Sequence, residues 1–181
     1  LDPIIDGYHL TRVLMVGGCS LNLIYQDTVR KMGIEPSRIK PSSTTFKGVI
    51  PGIEARCTGS LTLEVVFGSP DNFRSEELTF NIAPFRSGYH ALLGRTTLAR
   101  FNAVPHYAYL KLKMPGPRGV ITVSGNTERS LHIEEYTAAL AVEAQNGLFK
   151  SNRSPVIRTA DTAKRVWSTP HYGSSGKPEL E

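Results

Sequence analysis

The segment from Val13 to Ser20 has the clearest chemical meaning, because its apolar run ends at Val16 and is followed directly by Gly17 and Gly18. An apolar strand that ends in a tight glycine turn can bring one side chain into the interior, since glycine permits sharp backbone turns. Acid–base chemistry at such a place requires a titratable group. Val16 has none, so the residue at the end of this strand cannot act as an acid or a base.

Other residue types that could carry chemistry have no partners at useful spacing. Ser20 lacks the His and Asp arrangement of a nucleophile, and His90 and His106 flank apolar segments without a partner acid, which favours surface or core-edge positions. Cys19 and Cys57 are too few for a disulfide framework and lack metal-ligand spacing. We therefore expect reduced thiols, no metal site and no cofactor.

A helix is the first element expected to support the glycine turn. Ser20 is a plausible N-cap and Gly33 a plausible C-terminal stop. The apolar positions between them follow helical spacing and predict one buried face, formed by Leu21, Ile24, Tyr25, Thr28, Val29 and Met32.

Strand patterns dominate the rest of residues 1 to 123. Residues 61 to 66 and 78 to 83 alternate between apolar and polar and predict an antiparallel pair joined by the turn-rich residues 68 to 72. Residues 107 to 113 and 120 to 123 predict a terminal hairpin that either closes the sheet or contributes to a subunit interface.

Two shorter segments complete the pattern. The run Leu92, Leu93, Gly94 and Arg95 predicts a buried strand that ends in glycine, with a helix from Thr96 to Phe101. A glycine-containing hairpin is predicted around residues 46 to 55, which by themselves fit an ordinary surface hairpin as well as one that closes over a bound peptide. Its tip consists of Gly48, Val49, Ile50, Pro51 and Gly52.

Length and composition predict one globular domain with an appendage. The chain has 181 residues and a formal charge of +5, with 14 basic and 9 acidic residues before residue 124 and seven of each after it. Basic patches lack interleaved aromatics or a recognised motif, so a solvated surface is favoured; nucleic-acid binding, which rests only on the net charge, is the weakest functional interpretation. No membrane span or signal peptide is recognised, and an intracellular, cytoplasmic location is expected. We predict a domain over 1–123, a linker with a short helix over 124–145 and a disordered tail over 146–181.

Four separated blocks together resemble the protease region of plant gypsy-type LTR retrotransposon polyproteins, and they agree with it in order: residues 12 to 25, 45 to 68, 85 to 95 and 103 to 123. The resemblance implies a mainly all-β fold, a retropepsin-like closed β-barrel with a flap hairpin. It also implies one helix after the active-site loop and one short helix after Leu-Leu-Gly-Arg. It further implies a homodimer that holds a polypeptide substrate or peptide ligand in a cleft.

The same resemblance assigns roles to individual residues. The catalytic aspartate of the family precedes the glycine pair, at the place of Val16, so that no catalytic residue is intact. The active-site loop is Gly17, Gly18, Cys19 and Ser20, the flap is Gly48 to Gly52, and the loop-supporting strand is Leu92 to Arg95. Asp6 and Asp27 lie too far along the chain from Val16 to replace the acid.

Three functional interpretations follow from this resemblance. The first is an inactive aspartic-protease-like domain, a pseudoenzyme. The second is an active aspartic endopeptidase that processes a polyprotein, in which Val16 is a sequence artefact. The third is a non-enzymatic module that binds peptides or inactivates an intact protease by forming mixed dimers.

Overall fold

The computed structural model describes residues 1–47, 54–145 and 179–180. In that part of the chain the strands are β1 (Ile4–Ile5), β2 (Tyr8–Leu10), β3 (Val13–Met15), β4 (Leu23–Tyr25), β5 (Thr45–Lys47), β6 (Glu54–Arg56), β7 (Ser60–Ser69), β8 (Asn72–Ala83), β9 (Ala91–Leu93), β10 (Val104–His106), β11 (Lys111–Gly116), β12 (Gly119–Ser124) and β13 (Glu179–Leu180). The helices are α1 (Gln26–Lys31), α2 (Arg95–Phe101) and α3 (Thr127–Gln145), with a 3-10 turn at Pro36–Arg38.

The predicted mainly β fold is confirmed. A curled, half-barrel sheet has the strand order β13-β2-β1-β7-β8-β4-β9-β3, and β10-β11-β12 and β5-β6 form two smaller sheets. The described residues contain three helices. As predicted, α1 follows the glycine turn and α2 follows the strand that ends at Leu93.

The long hairpin of β7 and β8 forms the middle of the main sheet and confirms the predicted antiparallel pair. Its register runs from Ser60↔Asn81 to Ser69↔Asn72, so the connection is tighter than the predicted loop over residues 68 to 72. Inward-facing side chains of the hairpin, such as Leu63, Val65 and Phe80, are almost fully buried. Burial of this apolar face provides the main driving force for the fold.

The helix predicted directly after Ser20 is wrong in its start. Residues 23 to 25 form strand β4, and α1 begins only at Gln26, with no side-chain cap at its N-terminus. All three β4 residues are buried because β4 pairs in parallel with β8 on one side and antiparallel with β9 on the other. Two-sided pairing of an apolar run overrides the helical spacing of the same residues. Gly33 does follow the helix, with φ of +61°.

The hairpin predicted near residue 110 forms, but with a shorter first strand. Residues 111 to 116 pair with 119 to 124, whereas the segment from Tyr107 to Leu110 is a turn rather than a strand. Leu110 lies in the left-handed region with φ of +47°, which a strand cannot accommodate. The additional strand β10 pairs with β11 on the side opposite β12.

Helix α3 begins at Thr127, within residues 124–145, where a short helix is predicted. Asn126 caps its first turn, because its side-chain oxygen accepts a hydrogen bond from the Arg129 backbone N–H at 2.9 Å. The helix contacts the rest of the domain through the buried Ile133 and through Arg129, which pairs with Asp2. Within the predicted tail, the described residues 179–180 form β13, which pairs in parallel with β2.

Candidate functional site

The glycine turn directly continues strand β3. The Val16 N–H donates to the Leu93 carbonyl at 2.9 Å, which extends the parallel pairing of β3 with β9. The Cys19 N–H then donates to the Val16 carbonyl at 3.2 Å and closes a tight turn. Val16 is half-buried at the end of the strand, so an aliphatic side chain occupies the position from which the loop would present a titratable group.

Gly94 packs directly against this loop. A Cβ at Gly94 would clash with the Leu21 carbonyl oxygen and would lie 2.6 Å from the Cys19 carbonyl oxygen. The next residue, Arg95, donates its backbone N–H to the Cys19 carbonyl at 2.7 Å. The segment from Leu92 to Arg95 therefore lies against the glycine loop. Only a residue without a Cβ permits so close an approach.

Asn22 connects three elements at this place and was not recognised in the sequence. Its side-chain oxygen accepts hydrogen bonds from the Gly94 N–H at 2.8 Å and from the Thr97 and Thr96 hydroxyls at 2.8 and 3.2 Å. Its amide nitrogen donates to the Thr79 carbonyl of β8 at 3.2 Å. The sequence does contain a sign of this role: Asn22 is the one amide side chain within the apolar run from residue 21 to 25. A buried amide there would need hydrogen-bond partners for both its oxygen and its nitrogen.

Gly17 has a partner within its own chain. Its N–H donates to the Tyr107 hydroxyl at 2.9 Å, across 90 residues of sequence. A Cβ at Gly17 would clash with that hydroxyl, so the close approach of the phenol requires glycine. The turn from Tyr107 to Leu110 is therefore in direct contact with the glycine loop.

The other loop residues, from Gly18 to Ser20, make few side-chain contacts among the described residues. The half-buried Cys19 donates its thiol to the Leu21 carbonyl at 3.4 Å, while Gly18 and Ser20 are exposed. The N-cap role predicted for Ser20 is wrong, because β4 separates it from α1.

Both alternative acids are engaged elsewhere. Both carboxylate oxygens of Asp6 accept hydrogen bonds from the Arg38 guanidinium, at 2.7 and 3.0 Å. Asp27 lies 3.1 Å from Arg30 and 3.7 Å from Arg86. Neither carboxylate takes the place left by Val16, in agreement with their distance along the sequence.

His90 is buried in the core, deeper than the surface or core-edge position expected from the sequence. Its Nε2 accepts hydrogen bonds from the Arg12 guanidinium at 2.9 and 3.2 Å, and its Nδ1 has no partner among the described residues. Burial, together with the neighbouring Arg12 and Lys31, lowers the pKa of His90 to about 3. The ring is therefore neutral at physiological pH. His106 is exposed, as expected.

The predicted flap residues, Gly48, Val49, Ile50, Pro51 and Gly52, lie outside the described residues. The base of their hairpin is described, with Thr45↔Arg56 and Phe46↔Ala55 in register. The Phe46 ring lies 5.6 Å from that of Phe85, which in turn packs edge-on against Tyr25 at 5.8 Å. These aromatic contacts connect the hairpin base to strand β4.

A cavity of about 190 Å³ lies between β3, residues 105 to 112 and α3. Apolar side chains such as Met15, Leu112 and Ile133 line it, together with polar ones that include Arg129 and Glu134. None of residues 16 to 20 contributes to its described lining, although Tyr107, which contacts Gly17, does.

The described ranges of the chain contain no group of three or more His, Cys, Asp or Glu side chains that could hold a metal ion. No helix there is long and apolar enough to cross a membrane.

Comparisons with known proteins give structural neighbours only. No family model matches the chain, and no curated protein matches it significantly. The retroviral protease-like domain of Ddi1 from Leishmania major is similar with a TM-score of 0.47 and 11% identity, over 70% of this chain and 94% of that one. A retropepsin-like aspartic protease from Rickettsia conorii is similar with a TM-score of 0.43 and 15% identity, over 67% of this chain and 80% of that one.

Proposed function

We propose that this chain is a retropepsin-like domain of a plant gypsy-type retroelement polyprotein that has lost its peptidase activity. The observation that carries the proposal is Val16 at the end of β3, in a loop whose supporting contacts are present. The turn closes at Cys19, Gly94 packs beneath it, and Asn22 joins it to β8 and α2. The frame of the loop is intact, and the acid is replaced.

The missing acid removes the chemistry rather than weakening it. In an aspartic protease dimer, two carboxylates share a proton, so that one acts as a base toward water while the other acts as an acid. General acid and base steps contribute roughly 10² to 10⁴-fold each. A symmetric dimer of this chain loses both carboxylates together, and Asp6 and Asp27 are paired with arginines elsewhere.

What remains is a dimerising scaffold that binds peptides. In the proposed homodimer, the two loops meet and the two Val16 side chains form an apolar contact in place of a hydrated carboxylate pair. An extended peptide occupies the cleft beside the hairpin strands β5 and β6.

The test compares the wild-type chain with Val16→Asp and with Val16→Asn. Asparagine is the control because it has the shape of aspartate but no titratable group. Cleavage of peptides that resemble polyprotein junctions is measured together with molecular mass in solution. We expect no cleavage by the wild type or by Val16→Asn, and cleavage by Val16→Asp that a pepstatin-type inhibitor blocks.

Two results would contradict the proposal. Inhibitor-sensitive cleavage by the wild-type chain would show that it is an active protease. A folded, dimeric Val16→Asp variant without activity would show that residue 16 does not correspond to the catalytic position. Separately, dimerisation of Val16→Asp as tight as that of the wild type, or tighter, would refute the apolar contact between the valines.

A further inference from the structure

The three-stranded sheet β10-β11-β12 has one buried and one exposed face. Leu112, Met114 and Ile121 point inward and are nearly fully buried. The alternating residues of the same strands are exposed, as strand geometry requires. We call these residues the outer face: Val104, His106, Lys111, Lys113, Pro115, Val120, Thr122 and Ser124.

The charge of the outer face and its tip is entirely positive. Lys111 and Lys113 lie on β11, the central strand, and Arg118 lies at the exposed turn between β11 and β12. No aspartate or glutamate occurs between residues 102 and 127. Of the acids that line cavities beside this sheet, Asp2 is paired with Arg129, and Glu134 belongs to α3.

An aromatic platform adjoins these cations. The rings of His106 and Tyr109 stack with centroids 4.4 Å apart and an interplanar angle of 19°, and Tyr109 is 73% exposed. The Tyr109 N–H also donates to His106 Nδ1 at 3.2 Å, which holds the turn in place. His106 is directly opposite Lys111 in the strand register, so the ring pair lies on the strand next to Lys111, whose ammonium group donates to the Ser124 hydroxyl of β12 at 2.6 Å.

A second copy of the chain is a poor occupant for this face. An isologous contact would place the same patch on both subunits, so Lys111, Lys113 and Arg118 of each would oppose one another without an acid. Like charges brought together at an interface are strongly unfavourable. The occupant must instead carry negative charge along its length and flat groups that stack on an exposed ring.

We propose that the outer face binds single-stranded nucleic acid, with backbone phosphates on Lys111, Lys113 and Arg118 and a base stacked on Tyr109. A cationic surface with exposed aromatic rings is the combination by which proteins bind single strands without strong sequence preference. Tyr109 is close to Lys111 along the sequence, and the pairing of β10 with β11 adds His106, which stacks on Tyr109, to the same patch. The inference goes beyond the proposed protease-like function and does not depend on it.

The test is fluorescence anisotropy of a labelled oligo(dT) 12-mer titrated with the full chain at several salt concentrations. We expect Tyr109→Ala to weaken binding about fivefold or more, from the loss of a base stack, while Tyr109→Phe retains binding. Lys111→Gln and Lys113→Gln should each reduce the slope of log affinity against log salt by about 0.7, the value for one phosphate contact on a single strand.

Matched controls exclude general effects of charge and aromatic content. Lys40→Gln removes one exposed cation distant in sequence from the sheet, and Tyr136→Ala removes a partly exposed ring of α3; both should bind as the wild type does. The proposal is overturned by absence of binding at about 50 mM salt, a range in which phosphate contacts are strong. Equal weakening by Lys40→Gln and Lys111→Gln would also overturn it. Displacement of the oligonucleotide by an equal concentration of poly-glutamate would instead identify an acidic polypeptide as the partner.

Discussion

Replacing Gly94 with alanine should separate the glycine loop from the strand and helix that support it. Gly94 lies between β9 and α2 with an extended backbone, at φ of −93° and ψ of −169°. Alanine adopts this conformation without strain. The effect of Gly94→Ala therefore measures steric contact with the loop and not backbone preference.

The structure sets the size of the effect. The added Cβ would lie 2.6 Å from the Cys19 carbonyl oxygen and closer still to that of Leu21. Both are backbone atoms, which cannot rotate away, and overpacking of this kind costs typically about 1–3 kcal/mol. Displacing the loop also strains the 2.7 Å hydrogen bond from Arg95 to Cys19, and such a bond contributes about 1 kcal/mol. We expect the free energy of unfolding to fall by roughly 2–4 kcal/mol.

Urea denaturation, followed by fluorescence or circular dichroism, measures this loss. The matched control is Gly18→Ala in the same loop, where a Cβ would meet no atom within 4 Å. Its free energy of unfolding should stay within about 0.5 kcal/mol of the wild type. Equal stability of Gly94→Ala and wild type, or equal losses for the two variants, would refute the proposed packing of β9 against the loop.

Three further predictions concern buried groups. Asn22→Ala leaves two buried donors, the Gly94 N–H and the Thr97 hydroxyl, without their acceptor. The free energy of unfolding should fall by roughly 2–5 kcal/mol, because an unsatisfied buried donor costs about 1–3 kcal/mol; a urea midpoint unchanged from wild type would contradict this. Burial and Arg12 lower the pKa of His90 to about 3, so between about pH 6.5 and pH 3 only the unfolded chain binds a proton at this residue. The contribution of His90 to the free energy of unfolding is therefore complete above about pH 6.5 and declines as the pH falls toward 3. The decline should reach roughly 2–3 kcal/mol between about pH 7 and pH 4.5, and it should be missing from His90→Gln; parallel stability curves for the two proteins would argue against it. Burial raises the pKa of the Cys57 thiol, so a thiol reagent should modify the half-buried Cys19 first and Cys57 only on unfolding; mass spectrometry that finds equal rates in the native protein would exclude this order.

Strand alternation and local breakers could be recognised in the sequence because they depend on neighbours along the chain. The pairing of β7 with β8, the strand before Gly94 and the helix after it all follow from such local patterns. The loop from Val16 to Cys19 was recognised from its glycines. Residue type alone established that Val16 cannot act as an acid or a base.

The segment around Leu23 shows where local patterns mislead. Its apolar spacing fits a helix, but β8 and β9 offer hydrogen bonds on both sides, and these partners lie about 60 residues away. The choice between helix and strand therefore depended on tertiary contacts that no window of the sequence contains.

The sequence by itself determined that residue 16 of the loop has no titratable group, because valine carries no ionisable atom in any environment. Only the tertiary structure decided which groups surround that loop. Gly94 and the Tyr107 hydroxyl are brought to it from separate elements, and His106 is brought opposite Lys111 by the pairing of β10 with β11. The physical reason is that hydrogen bonds and close packing act over a few ångströms of space, whereas the sequence records only order along the chain.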